Sequence, residues 1–184
     1  MTRILTSLAL MLSMALPLSA SEVGDDGLHK PDWLRNTFKD MTEDLAEANA
    51  QGKRLMVIWE QRGCIYCREM HENVFPDPRI DALIRESFFV VQMNLFGDLE
   101  VTDFDGTALP EKEMARRWGV VFTPTIMFFP EEVQEDQTAQ QAAVAIMPGA
   151  FGKGTTRAMF TWIRDKEYLT GEHFQKYVAR TVVE

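Results

Sequence analysis

Apolar positions along the chain follow two rhythms. Runs of strand length occur at 54–60 (RLMVIWE), 88–95 (FFVVQMNL) and 125–129 (TIMFF). Each is almost continuously apolar, as in strands covered on both faces. A weaker run, AVAIM at 143–147, ends at Pro148-Gly149 and reads as a partner strand. Between these runs the spacing is helical. Residues 38–51 put Met41, Leu45 and Ala48 on one face, and Gly52 stops them. A helix is expected from Cys64 to about Val74, before Pro76 and Pro78 break it. Another over 78–86 turns Ile80, Leu83 and Ile84 inward. Pro110 opens a short helix with Met114, Ala115 and Trp118 as its apolar face, closed by Gly119. Met159, Phe160, Trp162 and Ile163 cluster in a helix over 155–169, and a last one covers 172–181.

Three stretches lack either rhythm: 21–32, read as a flexible N-terminal segment; 96–109, a polar, acidic insert read as a solvated loop; and 130–141, a polar loop. Helices alternating with strands, then an antiparallel pair, predict an α/β fold with a mixed sheet flanked by helices. The expected domain spans 33–184.

Residues 1–20 stand apart. Arg3 is followed by an uncharged apolar run from Ile4 to Leu18 and then by small residues at Ser19-Ala20-Ser21. That is the layout of a cleaved export signal, and the run is short for the ~20 apolar residues a bilayer span needs. Cleavage would leave 18 basic against 28 acidic side chains, a formal charge of −10. Such a balance excludes nucleic acid and anionic lipid as expected partners. Export also changes how the two cysteines, Cys64 and Cys67, are read, because oxidising compartments preserve disulfides.

The pair lies in EQRGCIYCREM, residues 60–70. Haem attachment requires His after the second cysteine, where Arg68 stands. A zinc site lacks a second knuckle, with His71, His29 and His173 the only histidines, so no metal or other cofactor is expected. A calcium loop built on Gly106 would need oxygen ligands at Val101 and Lys112. A structural staple gains little from so short a loop.

Redox chemistry fits better. The cysteines follow a strand and a turn and sit where a helix begins. Free N–H groups and the helix dipole there favour thiolate, the reactive form. Spacing of i, i+3 brings Cys67 to the same side, within disulfide reach. Cys64 is then the nucleophile and Cys67 the residue that resolves the mixed disulfide. Arg62 and Arg68 are expected to add positive potential. Pro124 precedes the third apolar run, where a cis Thr123–Pro124 bond would leave the Thr123 backbone free to pair with a bound peptide. From sequence alone a trans bond is the commoner state.

Strand, CIYC, helix, strand, helix, TP, hairpin and helix together resemble the thioredoxin superfamily. The stretches GCIYCREMHENVFPDPRI, VVQMNLFGDLEVTDFDG and EKEMARRWGVVFTPTIMFF are similar to the periplasmic SoxW-type thioredoxins of bacterial sulfur-oxidation gene clusters. The resemblance covers roughly 33–182. It implies a cis Pro124 beside a redox disulfide, with Ile65 and Tyr66 between the cysteines helping to set the potential and meeting substrate together with Thr123 and Pro124. It further implies a monomeric periplasmic dithiol reductant. A membrane thiol-electron transporter would supply its electrons, and a disulfide-bearing periplasmic protein of a sulfur-oxidation or other thiol pathway would be its client. The superfamily's buried acid, six residues before the first cysteine, is Ile58 here. Glu60 either replaces it in proton transfer or is a solvated strand end. A disulfide oxidase or isomerase, and a binding module or chaperone with incidental thiols, are the other readings.

Overall fold

The computed structural model describes residues 22–134 and 136–182. The expected export signal at 1–20 lies outside them. In chain order the elements are β1 (Leu34–Arg35), α1 (Met41–Ala50), β2 (Arg54–Glu60), α2 (Ile65–Glu69, continuing as a π-helical turn Met70–Val74), α3 (Pro78–Ser87) and β3 (Phe88–Asn94). Then come β4 (Glu100–Thr102), β5 (Ala108–Pro110), α4 (Glu111–Arg117), β6 (Thr125–Phe128), α5 (Ala139–Ala142), β7 (Ala145–Pro148), α6 (Lys153–Arg164) and α7 (Phe174–Thr181). A 3-10 turn, Glu167–Thr170, joins α6 to α7.

Five strands form the main sheet in the order β1-β3-β2-β6-β7. β1 and β2 run parallel to β3, whereas β6 is antiparallel to both β2 and β7. The strand period of two divides the side chains between two cores. Met56 and Ile58 of β2, Phe88 and Val90 of β3, and Ile126 and Phe128 of β6 face α3, α6 and α7. Leu55, Val57, Trp59, Phe89, Val91, Met93 and Met127 face α1, α4 and α5. Each such side chain that is fully buried contributes about 1.5–3 kcal/mol. This explains why β2 and β3 read as continuous apolar runs.

On the first face the apolar series fails at one end. Glu60 continues Met56–Ile58, and Gln92 and Asn94 continue Phe88–Val90, with Ile58 opposite Gln92 and Glu60 opposite Asn94. Polar side chains therefore line the C-terminal end of the parallel strands, from which the chain passes into α2.

Several expectations are corrected. Residues 96–109 are not a solvated loop. β4 and β5 pair there as an antiparallel hairpin, and Asp40 bridges Thr102. Asp103, expected in solvent, is 1% exposed and accepts from Trp118 Nε1 (2.7 Å), Ala139 N (2.7 Å), Phe104 N (2.8 Å) and Arg117 Nε (3.1 Å). Gly97 lets the insert close on α4, because a Cβ there would meet Glu111 Oε2 at 1.8 Å. The polar loop at 130–141 ends in α5, started by a Thr138/Gln141 capping box, which delays the following strand to Ala145–Pro148. The helix expected over 155–169 is α6 followed by the 3-10 turn. Trp59 is buried against Trp118.

The segment read as flexible, 21–32, is docked over the residues described. Val23 bridges His29, Leu28 is 3% exposed, and Gln92 Nε2 donates to the His29 carbonyl at 2.8 Å. With Trp33 and β1 it forms a strap across the polar end of the sheet.

Candidate functional site

After β2 the chain turns at Gly63, whose φ of 73° lies in the region glycine adopts without cost. Cys64 follows as the N-cap of α2, and its sulfur accepts from the Cys67 backbone N–H at 3.0 Å. Cys64 and Cys67 are joined by a disulfide, with Cα atoms 5.2 Å apart. Cys64 is half-buried, whereas Cys67 is 1% exposed. A partner sulfur therefore has access to Cys64 alone, the asymmetry that separates an attacking from a resolving cysteine.

β6 brings the second part of the site. The Thr123–Pro124 peptide bond is cis. The Thr123 hydroxyl donates to Cys64 Sγ at 3.2 Å, so the two segments meet at the sulfur. Thr123 and Pro124 are buried, while Val121 and Phe122 just before them are exposed. Ile65 and Tyr66, between the cysteines, are 61% and 60% exposed. The site thus presents one accessible sulfur and apolar side chains on both contributing segments.

Arg62 was expected to raise the potential at Cys64. It donates instead to the backbone carbonyls of Asp25 (2.7 Å) and Asp26 (3.3 Å), fastening the strap to the turn. Arg68 lies on the exposed side of α2.

Glu60 is not a solvated strand end. It is 1% exposed and bonded to His71 Nε2 through Oε1 at 2.7 Å and to Gln92 Nε2 through Oε2. Gln92 Oε1 accepts from Lys30 Nζ of the strap at 2.7 Å. His71, 3% exposed, lies parallel to the rings of His29 (4.5 Å) and Trp33 (6.0 Å). Sequence reasoning weighed His71 only as a zinc ligand and passed over Gln92. The available signal was the strand period: in two buried runs, polar residues occupy core-facing positions at the same end.

Among the described residues no group of three or more His, Cys, Asp or Glu is placed to hold a metal ion. No helix there is long and apolar enough to cross a membrane.

Comparisons with known proteins meet this geometry. The family described as Thioredoxin-like domain matches residues 41–139, from α1 to the start of α5. Two proteins named "Thiol:disulfide interchange protein DsbD" are related. The one from Colwellia psychrerythraea is 22% identical over 142 residues, covering 77% of this chain and 22% of that protein. The one from Pseudoalteromonas atlantica is 32% identical over 91 residues, covering 49% and 14%. The chain thus spans less than a quarter of either relative's length. A thioredoxin-fold protein from Helicobacter pylori superposes with a TM-score of 0.58 at 17% identity, over 71% of this chain and 84% of that one. A thioredoxin from Thermus thermophilus gives 0.54 at 25% identity, over 72% and 90%. A disulfide between a helix-capping and a buried cysteine, on a mixed sheet that this family's match spans for over half the chain, identifies a member of the thioredoxin-like family and a thiol–disulfide oxidoreductase.

Proposed function

We propose that the protein is a periplasmic dithiol reductant of the SoxW type, passing electrons through Cys64 and Cys67 to a disulfide-bearing client. The observation that carries this reading is the unequal access of the two sulfurs, with Cys64 capping α2 beside Thr123 and Cys67 buried behind it. In the reduced protein the Cys64 thiolate attacks a client disulfide. The Thr123 hydroxyl and the Cys67 N–H, both aimed at that sulfur, favour its charge. Cys67 then attacks Cys64 and releases the second client sulfur as thiolate. Cys67 must lose a proton to do so, and Glu60 accepts it, replacing the acid absent at Ile58. Ile65, Tyr66 and Phe122 cover the client's apolar surface, and the Thr123–Pro124 backbone holds its chain.

Periplasmic placement is supported by the pattern at 1–20, and the SoxW-type client by the GDLEVTDFDG insert. Two relatives named as thiol:disulfide interchange proteins support exchange with a protein thiol or disulfide partner, and the electron donor in this reading is a membrane thiol transporter. The protein acts as a monomer and requires no cofactor. With dithiothreitol as electron source, the wild type should accelerate insulin disulfide reduction, and Cys64→Ser should abolish the acceleration. A wild type that does not accelerate it overturns the proposal.

A further inference from the structure

A buried carboxylate accepts a proton readily only if no fixed cation already neutralises it. Among the described residues Glu60 has no lysine or arginine in direct contact; its partners are the imidazole of His71 and the amide of Gln92. Lys30 reaches Glu60 only through Gln92, and Asp26 binds that lysine on its outer side at 2.6 Å. His71 is enclosed by the rings of His29 and Trp33 from the strap and by Phe75 from the end of its own helix, at 5.1 Å. It is also the fourth residue after Cys67. On a helix that spacing makes the two side chains neighbours, about 5–6 Å between Cβ atoms, and both are buried.

From this arrangement we propose that His71 is a positioning residue for the resolving step: it holds Glu60 as the proton acceptor for Cys67 and shares the proton that Glu60 receives. The inference rests on the redox reading above. Before the step, neutral His71 donates through Nε2 to ionised Glu60, and the pair carries one negative charge. During the step Cys67 gives its proton to the pair, which becomes neutral overall. The Cys67 sulfur bonds to Cys64, the bond from Cys64 to the client sulfur breaks, and the client departs as thiolate with the bonding electrons. One dithiol is oxidised and one client disulfide is reduced. Without His71 the carboxylate keeps Gln92 but loses its second hydrogen-bonding partner, the imidazole that spreads the incoming proton over two groups. The docked strap is what keeps this imidazole out of water.

Stopped-flow mixing of reduced protein with Ellman's reagent tests the proposal. The first release of thionitrobenzoate reports attack by Cys64, and the second reports attack by Cys67 on the mixed disulfide. His71→Gln should leave the first phase within about twofold and slow the second about tenfold or more at pH 7, in line with the scale of proton-transfer assistance. In the wild type the second phase should rise less than tenfold per pH unit between pH 6 and 8. In His71→Gln it should rise tenfold per unit toward the ordinary thiol range near ~8.5. A folded His71→Gln variant with an unchanged second phase and pH profile overturns the proposal. So does a wild-type second phase that is strictly proportional to hydroxide, which needs no variant to fold. Glu60→Gln separates the layers. If it slows the second phase while His71→Gln does not, Glu60 acts alone and the inference about His71 falls. If the wild type shows no first phase, the redox reading itself falls.

Discussion

Asp103 in the insert and Glu60 below α2 are each 1% exposed, yet they are held in opposite ways. Asp103 is held by fixed donors. It accepts from an arginine, an indole and two backbone N–H groups, and these join the insert to α4 and α5. Glu111, also 1% exposed, follows the same pattern, bonded to Lys39 Nζ and to Asn94 N at 2.9 Å. Fixed donors of this kind make a buried charge structural, because removing either side strands the other. Glu60 meets an imidazole and an amide, neither of which is a lysine or arginine cation. Burial alone therefore does not mark a functional acid; the donor set does.

The comparison breaks most visibly at Asp103. Asp103→Ala should lower unfolding stability by about 3–5 kcal/mol, read as a fall in the urea midpoint at unchanged slope. Trp118 Nε1, Ala139 N, Phe104 N and Arg117 Nε would lose this acceptor together, leaving Arg117 only Asp105. Insulin reduction by the folded fraction should persist, because no atom of this cluster touches the disulfide. Stability unchanged within about 0.5 kcal/mol would show that the cluster does not hold the insert.

This contrast also explains what the sequence could reveal. The paired cysteines, their helix-start position and Pro124 are local signals, readable from spacing. β2 and β3 were legible because burial on both faces leaves near-continuous apolar runs. The hairpin β4–β5 was hidden because its stabilising contacts, Asp103 with Ala139 and Asp40 with Thr102, join residues far apart in sequence. The same holds for the strap: SEVGDDGLHK is polar in composition, but Leu28 is buried, and His29 and Lys30 find partners in His71 and in Gln92 of β3. A polar segment whose anchoring contacts to the rest of the fold are long-range looks disordered to any local reading.

A fourth buried acid tests the donor-set argument from the unfavourable side. Asp44 of α1 is 3% exposed, with the Thr37 hydroxyl donating to it at 3.1 Å. Burial pushes its carboxyl up to about 6; the Thr37 bond opposes the rise, and Asp40, Glu47 and Glu43 add to it. A folded-state value above the unfolded ~3.9 means that the native state binds the proton more tightly. Its stabilising contribution is therefore present below about pH 4 and is lost as pH rises through 6. Asp44→Asn, which keeps an acceptor for Thr37, should raise stability by about 1–3 kcal/mol at pH 7 and by much less at pH 4. A variant destabilised at pH 7 would mean that the charge, not the hydrogen bond, is what this position needs.

The smallest effect on stability is expected where the chemistry is. Glu60→Gln removes the charge but retains an acceptor for one neighbour, and the amide also brings a donor. Since no fixed cation is stranded, unfolding stability should change by no more than about 1.5 kcal/mol, the scale of one hydrogen bond. Urea unfolding of Glu60→Gln beside Glu111→Gln makes the test internal. Glu111→Gln should lose about 2–3 kcal/mol, because Lys39 is then left largely buried without its counter-charge. Equal losses in the two variants would erase the distinction between structural and proton-carrying acids in this molecule. Unequal losses, with the smaller at Glu60, would mean that a carboxylate contributing little to the fold keeps its place below α2 for what its proton can do.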